Sequence, residues 1–219
     1  MIKDPRAPHP SRARGGPLHG GLIRPYRAAD RAAVYDVCVR TAAAGEDARG
    51  RWSTDDLVPD LFAGPYVDLE PSLAFVLDDG DRAVGYVVGT ADMAAFVHRW
   101  RREWLPRLAA RYPAPPDPPR TAEQAMVALL HRPERMLRPE LAAHPAHLHV
   151  DLLPAHQGAG HGRALIDTFR VAAARAGAAA LHLGVDPANR RARGFYDHLG
   201  FTEIAVHDPG VTYLGLPTR

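Results

Sequence analysis

The chain predicts a mixed α/β layer. Three observations carry this expectation. The back half reads strand–helix–strand–helix before closing on two further strands. A tight hairpin signal stands in the front half. The length of 219 residues suits one well-buried core with an appended lobe. An apolar fraction of 46% against 24% charged residues supplies enough side chain for that core.

Composition also excludes several classes. A net charge of +2 is too small to argue for nucleic acid. The single cysteine, Cys38, rules out an internal disulfide framework and fits a reducing, cytoplasmic compartment. Cys38 lies in an apolar helical stretch and reads as a core thiol. No segment approaches the roughly 18 apolar residues of a membrane span. Residues 1–21 are rich in Pro, Gly and Arg without the apolar centre of a secretory signal, so a mobile basic tail is expected there.

The elements follow in order. Residues 22–26 are a short strand, and residues 28–43 carry Ala33, Val34, Val37, Cys38 and Thr41 close to helical spacing. Residues 49–71 read as irregular. Residues 73–77 and 83–88 are apolar strands joined by Asp78-Asp79-Gly80-Asp81, which has hairpin turn chemistry. Residues 94–112 form an amphipathic helix with Phe96, Trp100, Trp104 and Leu108 on its apolar stripe. A proline-rich break follows, and Thr121 caps a further helix running to Leu130. These helices are too few for a domain of their own and read as an insertion, residues 93–146, packed beside the sheet.

In the next strand Leu148, Val150 and Leu152 alternate with His147, His149, Asp151 and Leu153. That strand runs into a glycine-rich turn which opens a helix over residues 160–176. The first amides of a helix have no intrahelical partner, and the helix dipole adds partial positive charge there. Glycines let a large anion approach that backbone closely. Gln157-Gly158-Ala159-Gly160-His161-Gly162-Arg163 is therefore read as a phosphate cradle. A strand over residues 181–185, a helix over 190–199 stopped by Gly200, and strands over 201–206 and 211–216 complete the layer.

The Gln157-x-x-Gly160-x-Gly162 spacing, Asn189 after the next strand, and Gly194-Phe195-Tyr196 appear in an order that resembles the GNAT superfamily of N-acetyltransferases. The segments around Phe75, Val84 to Asp92, Trp104 and Leu61 to Tyr66 resemble, within it, the acetyltransferase-like C-terminal domain of O-GlcNAcase. The resemblance implies one such domain over residues 22–219, with a mixed, mostly antiparallel sheet flanked by helices. The insertion would precede a central strand that splays from its neighbour to admit acetyl-CoA.

By position, Leu152 and Leu153 would offer main-chain groups to the pantetheine arm and the acetyl carbonyl. The backbone from Gln157 through Gly158, Ala159, Gly160 and His161 to Gly162, with Arg163 beside it, would hold the pyrophosphate. Asn189 would hydrogen-bond the cofactor, Phe195 would flank it, and Tyr196 would protonate the leaving thiolate. The expected activity is acetyl-CoA-dependent acetylation of a primary amine, on a small molecule or peptide, by direct attack in a ternary complex. A non-catalytic acyl-CoA-binding or protein-interaction module is the alternative.

An ammonium acceptor must lose a proton before it attacks. Asp151, Asp92 and His149 are the candidates to take it, since each stands on or at the end of a strand beside the expected gap. His147, His149 and Asp151 on one face also allow a metal reading, which the neighbouring cradle disfavours, so no metal is expected. Gly158-x-Gly160 starts a dinucleotide-binding pattern, but its third glycine position is Arg163. Asp55, Asp56, Asp60 and Asp68 fall near the expected acceptor side and suggest a cationic acceptor.

Overall fold

The computed structural model describes residues 21–219, so all but the last residue of the tail expected at residues 1–21 lies outside the described residues. Seven strands form one open sheet in the order β1-β2-β3-β4-β5-β7-β6. β1 (Leu22–Pro25), β2 (Ala74–Asp78) and β3 (Ala83–Thr90) form an antiparallel meander. β4 (Ala146–Leu152) continues it antiparallel to β3. β5 (Ala180–Val185) is parallel to β4, and β7 (Thr212–Pro217) joins β5 and β6 (Thr202–Ile204) antiparallel. The mixed, mostly antiparallel sheet is therefore present.

Helices cover both faces. α1 (Arg31–Val39), α2 (Leu57–Phe62), α3 (Gly64–Leu69) and α4 (Met93–Arg99) are followed by α5 (Leu105–Leu108) and α6 (Ala122–His131). α7 (His161–Arg175) buries Leu165, Ile166, Phe169 and Ala173, packing on β2 to β5. Full burial of each large apolar side chain contributes about 1.5–3 kcal/mol. α8 (Arg190–His198) follows β5. Phe96, Trp100, Trp104, Val127 and Leu130 from residues 93–146 join the same hydrophobic cluster as the sheet residues.

Three elements differ from expectation. The stretch 49–71 contains α2 and α3 instead of being irregular. Pro59 and Pro65 read as breakers in sequence, but both fall in first turns, where a missing N–H removes no helical bond. The helix from Arg31 ends at Val39 instead of Ala43, because after Arg40 the amides leave the i−4 ladder: Thr41 bonds the Cys38 carbonyl and Ala43 the Glu46 carbonyl, and Ala44 at φ 56° turns the chain back. The helix over 94–112 is interrupted by a π-helical turn at Trp100–Trp104. There the Leu105 amide bonds the Trp100 carbonyl five residues back, and Pro106 has no amide to restore the normal ladder. Trp100 and Trp104 are both buried, their indole N–H groups donating to the Leu130 and Asp60 carbonyls at 3.1 and 3.0 Å.

Candidate active site

The sheet opens where β4 and β5 part. Their parallel pairing covers only Ala146 with Leu181 and His147 with His182, whereas β4 pairs with β3 from His147 to Leu152. Beyond His147 the two strands line opposite walls of a cavity of about 810 Å³. That volume is of the size that takes cofactors. The Leu153 amide donates to the Val84 carbonyl at 2.9 Å, so Leu153 and Asp151 address β3. Strand alternation then turns the main chain of Val150 and Leu152 towards the gap. The Leu153 main chain, expected at the gap, is thus turned to β3 and Leu153 does not line the cavity, whereas Val150 and Leu152 do. The Gln157 side-chain Nε2 already donates to the Leu152 carbonyl at 2.8 Å.

The cradle lies at the mouth of this gap. Gly158 and Gly160 have φ of 81° and 85°, and a Cβ at either would meet nothing within 4 Å, so the turn presents open backbone. α4, α6 and α8 each carry a side-chain cap, from Asp92, Thr121 and Asn189. α7 has none, its N-cap being Gly160. Its first-turn amides at His161 and Gly162 are thus left for an external acceptor, at the positive end of a 15-residue helix. Arg163 lines the cavity beside them, held by the His198 carbonyl at 3.1 Å. Arg191 lines it too and donates to Gln157 Oε1 at 2.7 Å. Open amides, a dipole and two guanidiniums suit a pyrophosphate.

On the wall facing α1, Asp151 accepts the Tyr86 hydroxyl at 2.6 Å. Burial holds its carboxyl above the usual carboxylate range, against the lowering effect of that hydrogen bond. A raised carboxyl is a stronger base than an exposed one. Tyr196 lines the same cavity from α8, packed on Phe195 and Phe201. Burial, and then the negative charge of Asp151, push its phenol upward, so it stays a proton donor at neutral pH. His149 also lines the cavity, in contact with Phe62, Tyr66 and His147. Burial, with Arg135 and His182 nearby, depresses its imidazole to about 4.

The remaining site residues distribute as follows. Gln157, Gly158, Gly160, Gly162, Asn189 and Phe195 line the cavity. Ala159 and His161 belong to the same segment but do not line the cavity. Asn189 spends its carbonyl oxygen capping α8 through Ala192, so only its amide N–H₂ faces outward chemistry. Asp92 is not a cavity residue: its carboxylate caps α4 by accepting from the Ala95 amide at 3.0 Å. The acids at 55–68 have internal partners as well. Asp55 accepts the Gly50 amide, Asp56 pairs with Arg111, and Asp68 pairs with Arg31 and Arg107. Asp60 is buried and accepts the hydroxyls of Tyr35 and Tyr112 at 2.7 and 2.9 Å.

Sequence reasoning missed the wall made by Cys38, Thr41, Ala42, Ala44, Gly45 and Phe62. Its only signal in the sequence is Gly45, which stands where a helix over residues 28–43 would stop. Arg191 was missed because one arginine among Arg190, Arg191 and Arg193 carries no pattern. Among the described residues no three His, Cys, Asp or Glu side chains are grouped to hold a metal, and no helix is long and apolar enough to cross a membrane.

The geometry accords with the sequence comparisons. Residues 44–201 match the acetyltransferase (GNAT) family. The chain belongs to that family. Its members use acetyl-CoA. The chain is 28% identical over 185 residues to protein O-GlcNAcase of Rattus norvegicus, covering 84% of this chain and 20% of that one, and matches the Mus musculus protein to the same extent. It thus spans about a fifth of the length of these relatives. A crystal structure of SsHAT superposes with a TM-score of 0.88 at 59% identity, covering 91% of this chain and 98% of that one. YncA of Salmonella typhimurium, a putative acetyltransferase solved with acetyl-CoA, has the same fold, with a TM-score of 0.52 at 17% identity over 91% of this chain and 94% of that one.

Two consequences of these side-chain environments are measurable. Asp60→Ala leaves the Tyr35 and Tyr112 hydroxyls without their acceptor, and Arg111 without one of its carboxylates. It is expected to destabilise the fold by about 3 kcal/mol, read as a fall in urea midpoint, without altering acceptor KM. His147, His149 and His182 all have depressed imidazoles, principally through burial. The unfolded chain therefore binds more protons than the folded one below the ordinary histidine value. Stability is full above about pH 6.5 and is lost as pH falls towards about 4, the value of His149. Thermal denaturation should show Tm falling steadily between those limits, by several degrees.

Proposed function

We propose that this protein transfers acetyl from acetyl-CoA to a primary amine by direct attack within a ternary complex, with residues 22–219 as one acetyltransferase domain. The single observation carrying this reading is the opening between β4 and β5, onto which the glycine turn, Asp151 and Tyr196 all converge. Acetyl-CoA, when bound, supplies an activated thioester. The amides of α7 with Arg163 and Arg191 would hold its pyrophosphate, and main-chain groups of Val150 and Leu152 would pair with its pantetheine arm. Gln157 would exchange the Leu152 carbonyl for that arm.

Asp151 would accept the ammonium proton of the acceptor, directly or through a water, while Tyr86 fixes the carboxylate by its 2.6 Å hydrogen bond. The freed amine nitrogen bonds to the acetyl carbon as the carbon–sulfur bond breaks. Tyr196 would give its proton to the departing thiolate. His149, depressed to about 4, is too weak a base at neutral pH and would act as a neutral wall.

Two measurements test the reading. Calorimetric titration with acetyl-CoA should give saturable one-to-one binding, and thiol release should rise with added amine. Absence of binding removes the cofactor assignment. Binding with no thiol release from any amine would favour an acyl-CoA-binding module over an enzyme.

A further inference from the structure

We infer that the acceptor is a slim monoamine whose remainder carries no charge, which deepens the acetyl-transfer reading and rests on it. The acceptor wall is built by Cys38, Ala42, Ala44 and Phe62 from the α1–α2 side and by His149 and Asp151 from β4. Among these the Asp151 carboxylate is the one charged group, since the buried Cys38 thiol and the His149 ring are both held neutral. The cationic cavity residues, Arg163 and Arg191, stand on α7 and α8 at the cofactor side. So does Asp186, whose carboxylate accepts the Ala188 amide at 2.8 Å.

One carboxylate recognises one ammonium. A second ammonium entering this wall would lose water without gaining a counter-charge. A carboxylate on the acceptor would sit near Asp151 and be repelled. Asp56, Asp60 and Asp68, expected near the acceptor, do not line this cavity and are paired elsewhere: Asp56 with Arg111, Asp68 with Arg31 and Arg107, and Asp60 with two tyrosines. Phe62 and His149, edge to face at 5.6 Å, offer an aromatic surface for an alkyl or aryl stem. The small side chains of Ala42 and Ala44 leave room for that stem.

Thiol release with acetyl-CoA tests this with a six-carbon series: hexylamine, 1,6-diaminohexane and 6-aminohexanoate, with 2-phenylethylamine and a trilysine peptide beside them. Hexylamine and 2-phenylethylamine should exceed the other three by at least about tenfold in kcat/KM. A diamine, amino acid or trilysine peptide turned over as well as hexylamine overturns the specificity while leaving acetyl transfer intact. No release with any of the five overturns the transfer reading and the specificity with it. Ala42→Asp, a change at an exposed turn residue, places a second carboxylate on the wall. It should raise 1,6-diaminohexane relative to hexylamine by about tenfold, and an unchanged ratio would remove Ala42 from the acceptor wall.

Discussion

Asp151→Asn is expected to lower kcat/KM for amine acetylation by about 10²–10⁴-fold and to leave acetyl-CoA affinity within about threefold. The carboxylate is the one charged side chain on the acceptor wall, so the substitution removes both the ammonium partner and the proton acceptor. The asparagine retains a carbonyl oxygen for the Tyr86 hydroxyl, so the wall should keep its shape. The pH profile separates a base from a mere binding group. In the unmodified protein burial raises the Asp151 carboxyl, and activity should fall as pH drops through that raised value and protonates it. In the asparagine variant that acid limb should vanish. A rate retained within about threefold, with the limb still present, would pass the role of base to another group.

The fold effect of the same substitution carries the opposite sign. A carboxyl raised in the folded state holds its proton more tightly there than in the unfolded chain. Its stabilising contribution is present at low pH and is lost as pH rises through the folded value. Replacing it with a neutral amide should therefore leave Tm at neutral pH unchanged or slightly higher. Activity and stability moving in opposite directions is the expected signature of a functional carboxylate kept in place despite its burial.

Much of this site was legible because the features that make it are local in sequence. Alternation in β4, the glycine turn and the start of α7 are contiguous, so one stretch from Leu148 to Arg163 specifies strand, cradle and helix together. Period-two alternation also placed His149 and Asp151 on one strand face, where the Tyr86 and Phe62 contacts put them. What was hidden depends on partners distant in sequence. Asp92 reads equally well as a base or a cap, and only the Ala95 amide at 3.0 Å decides for the cap. Asp60 reads as a loop acid until Tyr35 and Tyr112, 25 and 52 residues away, close over it. α2 and α3 were concealed by prolines whose position within a helix, not their presence, determines whether they break it. Leu153 differs from Leu152 only by which side of the strand its amide faces, a parity fixed by the β3 register.

Gly160→Glu should abolish measurable acetyl-CoA binding, a loss of at least about 100-fold by calorimetry. Two physical effects combine. The glycine holds φ 85°, a conformation costing other residues about 1–2 kcal/mol. The new carboxylate would project from a position where nothing protein-borne lies within 4 Å, that is, into the anion's approach to the α7 amides. Its negative charge would also occupy the positive helix end that a pyrophosphate requires. Gly177→Glu separates the two effects. Gly177 follows the other end of α7 at φ 97°, with the same open space around a Cβ, so it carries the backbone strain without obstructing the cavity. Both variants should lose a few degrees of Tm, Gly177→Glu the more because its charge meets the negative end of α7, and only Gly160→Glu should lose the cofactor. Comparable binding loss in both would reduce the cradle to a strained turn; intact binding in Gly160→Glu would move the diphosphate away from α7 altogether.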